Sequence, residues 1–176
     1  MEVGLRYQMF LSVNPAEKMM NAAYSLLFIA LPLASAVSIS AVRPASGCLP
    51  GSTSFEGSCY IFPVLSVSWP DAVSICRLFG AHIVEINSRA ENDFLVSQLK
   101  ERKISVAWIG ANDLLEEGIF RWGSSRENVS LSYWRAGEPN NVGPTSQCAN
   151  IVAEWNYDWN DGNCHDQNRI VCEKLK

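Results

Sequence analysis

"WRAGEPNNVGPTSQC", Trp134 to Cys148, sets a carboxylate, a proline and two asparagines between glycines and closes on a cysteine. Gly, Pro and Asn form turns, so the stretch reads first as a loop. A second polar stretch, "DWNDGNC" from Asp158 to Cys164, also ends on a cysteine. If Cys148 and Cys164 are bridged, the loop carrying Glu138 and Asn140 is tied to the strand carrying Asn160 and Asp161. Two carboxylates and two amides then converge, all of them hard oxygen donors. Such a set suits Ca2+, which takes roughly six to eight oxygens in flexible geometry, better than zinc or copper. The remaining positions fall to backbone carbonyl, water or the hydroxyls of a ligand.

The chain around these loops has 176 residues, enough for one domain and a short extra segment. Its hydrophobic content of 48% is that of a globular protein, and its net charge is −4. Nucleic acid and anionic lipid both attract a basic face, so neither partner is expected. Ala22 to Val37, "AAYSLLFIALPLASAV", is apolar, uncharged and preceded by Lys18, with small residues at Ala34, Ser35 and Ala36. At about 16 residues, and with Pro32 inside, it is shorter than the roughly 20 residues of a spanning helix. It has the pattern of a secretory signal. The expectation is a signal peptide over 1–36, with Ala41 as the other cleavage point and Met19 or Met20 as the other start. A linker over 37–47 ("SAVRPASG", Ser40 to Gly47) and a domain over 48–176 follow, and the mature chain is expected outside the cell.

All six cysteines, Cys48, Cys59, Cys76, Cys148, Cys164 and Cys172, lie after that signal. An even number in an oxidising compartment reads as three disulfides, with the connectivity left open. Zinc is poorly served, because there is no C-x-x-C pair and the only histidines are His82 and His165. "NVS" at Asn128 to Ser130 is an N-glycosylation sequon.

Local patterns predict an α+β domain. "CLPGSTSFEGSCYIF" suits a small hairpin stapled at its base. Ser68 caps a helix with Pro70 in its first turn and Trp69, Ala72, Val73, Cys76 and Phe79 on one face; Gly80 ends it. "SRAE", Ser88 to Glu91, is a capping box for a second helix with Phe94, Leu95 and Leu99 inward and a solvated "KERK" end. "HIVEI" (82–86), "SVAWIGA", "IFRW", "CANIVA" and "RIVCEK" read as strands. Large aromatics usually pack, so Trp108, Trp122 and Trp159 are assigned to the core.

With these pieces in order, the chain from about Cys48 to Lys176 resembles the C-type lectin-like domain family, long form with six cysteines, and within it the calcium-dependent, mannose-type lectins. The matching residues are "WIGAND" (Trp108 to Asp113), "EEGIFRW" (Glu116 to Trp122), "EPN" (Glu138 to Asn140), "WND" (Trp159 to Asp161) and the cysteines. The resemblance implies two helices, two small antiparallel sheets and a long loop that binds calcium and sugar. It implies the pairs Cys48–Cys59, Cys76–Cys172 and Cys148–Cys164, and a cis Glu138–Pro139 bond. It also implies Ca2+ ligation by Glu138, Asn140, Asn160 and Asp161. Two adjacent sugar hydroxyls complete the shell, each donating to a carboxylate and accepting from an asparagine amide. The order "EPN" goes with mannose, N-acetylglucosamine, glucose and fucose, whereas galactose binders carry "QPD".

The chain departs from the family at Ser146, where these lectins carry a further glutamate ligand. The Ser146 hydroxyl as a weaker ligand, or a water, is one way to fill the gap; the nearby acids Glu154 and Asp158 leaning in is the other. A second calcium site matches at Asp113 and Glu117, but Asn141, Ser146 and Gln147 stand where acids are usual. The expected function is a secreted lectin for mannose-type glycans, acting in innate microbial recognition or agglutination, with avidity from a homo-oligomer formed through the domain face. The competing reading is a module of the same fold that has lost useful calcium affinity and binds a protein, mineral or ice surface. No enzyme is expected, since neither histidine lies in a nucleophile motif.

Overall fold

The computed structural model describes residues 47–143 and 145–176, so the signal peptide over 1–36 and nearly all of the linker lie outside the described residues. Strands β1 (Thr53–Phe55) and β2 (Ser58–Ile61) form a hairpin. Its two loop residues, Glu56 and Gly57, both have positive φ, 37° and 90°, which matches the twist of a two-residue connection. The Cys48–Cys59 disulfide ties the preceding arm to β2 opposite Ser54, in the middle of the hairpin rather than at its base. Strand β3 (Ser66–Val67) leads into helix α1 (Trp69–Leu78). The Ser68 side chain accepts from Asp71 N there, and Trp69, Ala72 and Cys76 face inward. The apolar stripe is shorter than expected: Phe79 is the exposed C-cap residue, and Leu78 is 85% exposed.

Strand β4 (His82–Ile83) covers only the start of "HIVEI". Beyond it Val84 donates its N–H to the Val171 carbonyl at 3.0 Å and accepts from Gly110 N at 2.8 Å. The segment thus crosses between two sheets with both faces buried, and it loses the alternation of a surface strand. Gly110 is required for this crossing, because a Cβ there would lie 2.9 Å from the Val84 oxygen.

Helix α2 (Arg89–Glu101) starts as expected, with Ser88 Oγ accepting from Glu91 N at 3.0 Å. The reciprocal half of the capping box differs. Glu91 Oε2 accepts from Asn87 N at 2.8 Å, one residue further back, and Oε1 accepts from the Tyr60 hydroxyl at 2.7 Å. Burial draws Glu91 into a tertiary contact with β2. The same burial holds the Glu91 carboxyl above the usual carboxylate range, and burial together with the Glu91 hydrogen bond raises the Tyr60 phenol further still. The folded state therefore binds the Glu91 proton more tightly than the unfolded chain does. Stability falls as pH rises from the ordinary glutamate value through the raised one. In urea unfolding at several pH values, the difference between wild type and Glu91→Gln should change across that window in this direction and be flat above it.

The basic end of α2 is not merely solvated. Arg102 stacks on the Phe62 ring at 4.3 Å and donates to Thr53 Oγ1 and Gln98 Oε1. A planar guanidinium packs and hydrogen-bonds at once, which "KERK" read as a charge run does not reveal.

The second sheet holds β5 (Val106–Asn112), β6 (Arg121–Trp122), β7 (Ser146–Val152), β8 (Asp158–Asn163) and β9 (Asn168–Ile170), with β3 at one edge. The order is β3-β9-β5-β7-β8, with β6 also paired to β5. The β5–β9 pair is parallel and the others antiparallel. "RIVCEK" divides at Val171: β9 belongs to this sheet, while β10 (Cys172–Leu175) joins β2 and β4 in the order β1-β2-β10-β4. "IFRW" contributes only Arg121–Trp122 as strand. The Cys76–Cys172 disulfide bolts α1 to β10. Trp108, Trp122 and Trp159 are all core, at 0%, 3% and 0% exposure. The indole N–H of Trp108 donates to Val67 O, and that of Trp159 donates to Asn92 Oδ1. A buried tryptophan is thus packed and satisfied together.

Candidate functional site

The long loop is laid over β8 by aromatic packing at its start. Trp134 meets Trp159 edge-on at 5.7 Å and Phe120 at 4.8 Å, and Arg135 N donates to the Trp159 carbonyl at 3.0 Å. The chain then turns at Gly137, with φ at 93°, and passes through a cis Glu138–Pro139 peptide. The far end of the loop enters β7, where Ala149 lies opposite Asp161, and Cys148 is bridged to Cys164.

Asp161 is buried, and its two oxygens divide between two loop amides, accepting from Asn140 N at 3.0 Å and Asn141 N at 2.8 Å. Glu138 Oε2 accepts from Asn140 N at 3.1 Å, and Glu138 Oε1 accepts from Asn140 Nδ2 at 2.9 Å. Asn140 Oδ1 accepts from Val142 N at 2.9 Å. Hydrogen bonds therefore join Glu138, Asn140 and Asp161 directly. Partial burial and the facing Asp161 carboxyl hold the Glu138 carboxyl above its ordinary value.

Asn160 is held differently. Its Nδ2 donates to Asn150 Oδ1 across the β7–β8 ladder at 3.4 Å. That use of the nitrogen leaves the amide oxygen as a ligand donor. Asn150 is 4% exposed, and Gly162 makes room for it: a Cβ at 162 would meet Asn150 Nδ2 at 2.6 Å. Asn150 was not singled out from the sequence. The signal was there, as one amide inside the apolar strand text "CANIVA".

Ser146 Oγ donates to the Val142 carbonyl at 2.9 Å, closing the loop on itself. The two nearby acids do not make up the missing charge. Asp158 pairs with Val152, three residues along β8 from Asp161 and so about 10 Å away at strand rise. Glu154 is exposed in the short 3-10 turn (Ala153–Trp155) beyond that end of the hairpin.

At the second cluster Asp113 is buried, with Oδ2 accepting from Gly118 N at 2.8 Å. Asp113 Oδ1 and Asn141 Oδ1 are both buried with no hydrogen-bond partner. Gln147 contributes its carbonyl to Asp113 N at 3.2 Å, and Glu117 is exposed.

The residues present fit a hard divalent cation. At the first cluster two carboxylates face each other beside amide oxygens, and at the second two acceptor oxygens lack a donor. Among the described residues no group of three or more His, Cys, Asp or Glu is gathered to hold a metal, so amides carry as much of the first donor set as acids do. His82 Nδ1 lies 2.9 Å from the Ile83 carbonyl, and His165 N donates to Asn163 Oδ1. Neither contact is with a nucleophile.

Comparison with known proteins agrees with the fold. The pattern of the Lectin C-type domain matches residues 65–174. The C-type lectin domain family 4 member M of Hylobates lar is 38% identical over 124 residues, covering 69% of this chain and 30% of the relative. The CD209 antigen-like protein A of Mus musculus is 38% identical over 125 residues, covering 70% of this chain and 50% of the relative. The chain thus spans half or less of the length of these two relatives. Among solved structures, the cow C-type carbohydrate-recognition domain of CD23, in the presence of GlcNAc2Man3 oligosaccharide, is 31% identical with a TM-score of 0.66, covering 73% of this chain and 96% of that one. Human lithostathine is similar too, at 28% identity and a TM-score of 0.68 over 73% of this chain and all of that one (100%). Herring type II antifreeze protein is 26% identical with a TM-score of 0.67, covering 73% and 99%. The matched pattern, the two helices and two sheets among the described residues, and the three disulfides agree: the chain belongs to the C-type lectin domain family.

Proposed function

We propose that this domain is a secreted lectin that binds mannose-type glycans through Ca2+, with Glu138, Asn140, Asn160 and Asp161 holding the ion and Asp113 and Asn141 contributing to a second one. The observation that carries the reading is the Asp161 clamp, which holds Glu138 and Asn140 together on the loop. Ca2+ held by these residues would supply coordination to a pair of sugar hydroxyls. Glu138 offers an acceptor to a sugar hydroxyl, and Asn140 Nδ2 offers a donor. In the free domain these two groups satisfy each other, so a hydroxyl inserted between them replaces one hydrogen bond by two. The disulfides fit an oxidising, extracellular compartment. Microbial or host glycans of mannose, N-acetylglucosamine or fucose type are the ligands, and microbial recognition or agglutination is the role.

The test is retention on immobilised mannan in calcium, with release by a chelator and by free mannose. Release by galactose but not mannose overturns the specificity. A single diol offers few contacts, so useful avidity comes from several copies clustered through the domain face.

Ser146 supports a second reading, in which the module has lost useful calcium affinity and binds a protein, mineral or ice surface. The site carries two carboxylates, and ligand charge count sets calcium affinity, already only about 10⁻⁴–10⁻³ M in extracellular modules. Ser146→Glu adds a third charge next to the clamp and is expected to lower the calcium midpoint about tenfold, measured as melting temperature against calcium. A wild type whose melting temperature ignores millimolar calcium moves the assignment to the second reading.

A further inference from the structure

We propose that Asn128 carries an N-linked glycan whose innermost N-acetylglucosamine seats in the cleft beside Pro139 and covers one flank of the ion site. The inference rests on the secreted, glycan-binding reading above. Asn128 lies exposed on the wall of a cleft of about 280 Å3 whose other walls include Phe120, Val129, Ser132, Trp134 and Pro139. Its backbone is pinned: residue 128 bridges Arg121, Val129 N donates to Phe120 O at 3.0 Å, and Trp122 N donates to Glu127 O at 2.9 Å. A sugar attached there is therefore rooted at a fixed point.

The cleft mixes apolar rings with a hydroxyl. A pyranose matches that mixture, its C–H face on an aromatic ring and its hydroxyls on polar groups and water. Pro139 is the shared element: it lines this cleft, while its neighbours Glu138 and Asn140 form the ion-binding loop. A covalently tethered sugar is present at an effective concentration in the millimolar range, so it occupies the cleft ahead of a weakly held free glycan. The modification is a transfer from a lipid pyrophosphate oligosaccharide. A bond forms between the sugar C1 and Asn128 Nδ2, the amide loses one proton, and the lipid pyrophosphate leaves.

The consequence is selectivity by size. A small mannoside reaches the ion without entering the cleft, whereas a branched mannan meets the resident sugar. The experiment uses the chain secreted from glycosylating cells, as wild type, Asn128→Gln and Ser130→Ala; the last removes the sequon and keeps the asparagine. Three results are expected. Peptide masses show Asn128 occupied in wild type alone. Nuclear Overhauser contacts run from the acetyl methyl of the first sugar to the Trp134 indole and the Pro139 ring. Mannan binds several-fold more tightly to both variants, while methyl mannoside binds all three alike. An unmodified Asn128, absent contacts to Trp134 and Pro139, or measurable mannan binding of equal affinity in all three forms overturns the proposal. Contacts present without calcium-dependent sugar binding in any form support the seat and sink the lectin reading alone.

Discussion

On the proposed function, Asp161→Ala is expected to abolish calcium-dependent retention on mannan and to lower calcium affinity by at least about 100-fold. Partners that only orient a metal ligand matter roughly 10- to 100-fold when lost, and the proposed function puts Asp161 in the donor set itself. It also organises the set. Its two oxygens take the N–H groups of Asn140 and Asn141, so the alanine leaves the Asn141 amide without an acceptor, leaves Asn140 N to Glu138 Oε2 alone, and loosens the loop that carries Glu138. Charge and geometry fail together. Calorimetry of calcium binding and the calcium-induced rise in melting temperature report the loss. Asp161→Asn keeps the volume and one acceptor, so it retains more of the loop while losing the charge. An alanine variant that still binds mannan in calcium and lets go in chelator would remove Asp161 from the ligand set.

Replacing both Cys76 and Cys172 by alanine destabilises the domain by about 4–5 kcal/mol in the chain-entropy account, the largest effect of any disulfide here. The bridge closes a loop with a sequence separation of 96, against 16 for Cys148–Cys164 and 11 for Cys48–Cys59. Loop-closure entropy grows with length, so the unfolded chain gains most freedom from the longest loop. Cys76 and Cys172 are fully buried between α1 and β10, and the lost sulfur packing acts in the same direction. A domain of this size is stable by roughly 5–15 kcal/mol, so the double variant sits near its unfolding threshold at room temperature. Urea unfolding checks this. A cost below that of removing Cys148–Cys164, about 3 kcal/mol, would show that the unfolded chain keeps α1 and β10 together without the bond.

The parts of the molecule that announce themselves locally were legible. Ser68 and Ser88 cap helices because a hydroxyl reaches a backbone N–H three residues on, and no distant residue is needed. The loop text from Trp134 to Cys148 and the strand text from Asp158 to Cys164 carry their own donor chemistry. Where a residue's role depends on what the fold brings to it, the text was silent. Glu91 had the spacing of a capping box, but Tyr60 and Asn87 were its partners. Arg102 belonged to a charge run until Phe62 and Thr53 met it. Val84 and Val171 looked like mid-strand residues, and they are the point where the two sheets exchange a hydrogen bond.

By itself the order of residues determined the fold class, the core tryptophans and the oxygen chemistry of the loop, because each follows from side-chain type and short-range spacing. Only the tertiary structure decided how that chemistry is assembled. It gave Asp161 to the amides of Asn140 and Asn141, Asn160 to Asn150, and the Ser146 hydroxyl to the Val142 carbonyl. Those pairings depend on strand register and on how a loop lies over β8. Both are set by long-range packing that short-range sequence patterns do not encode.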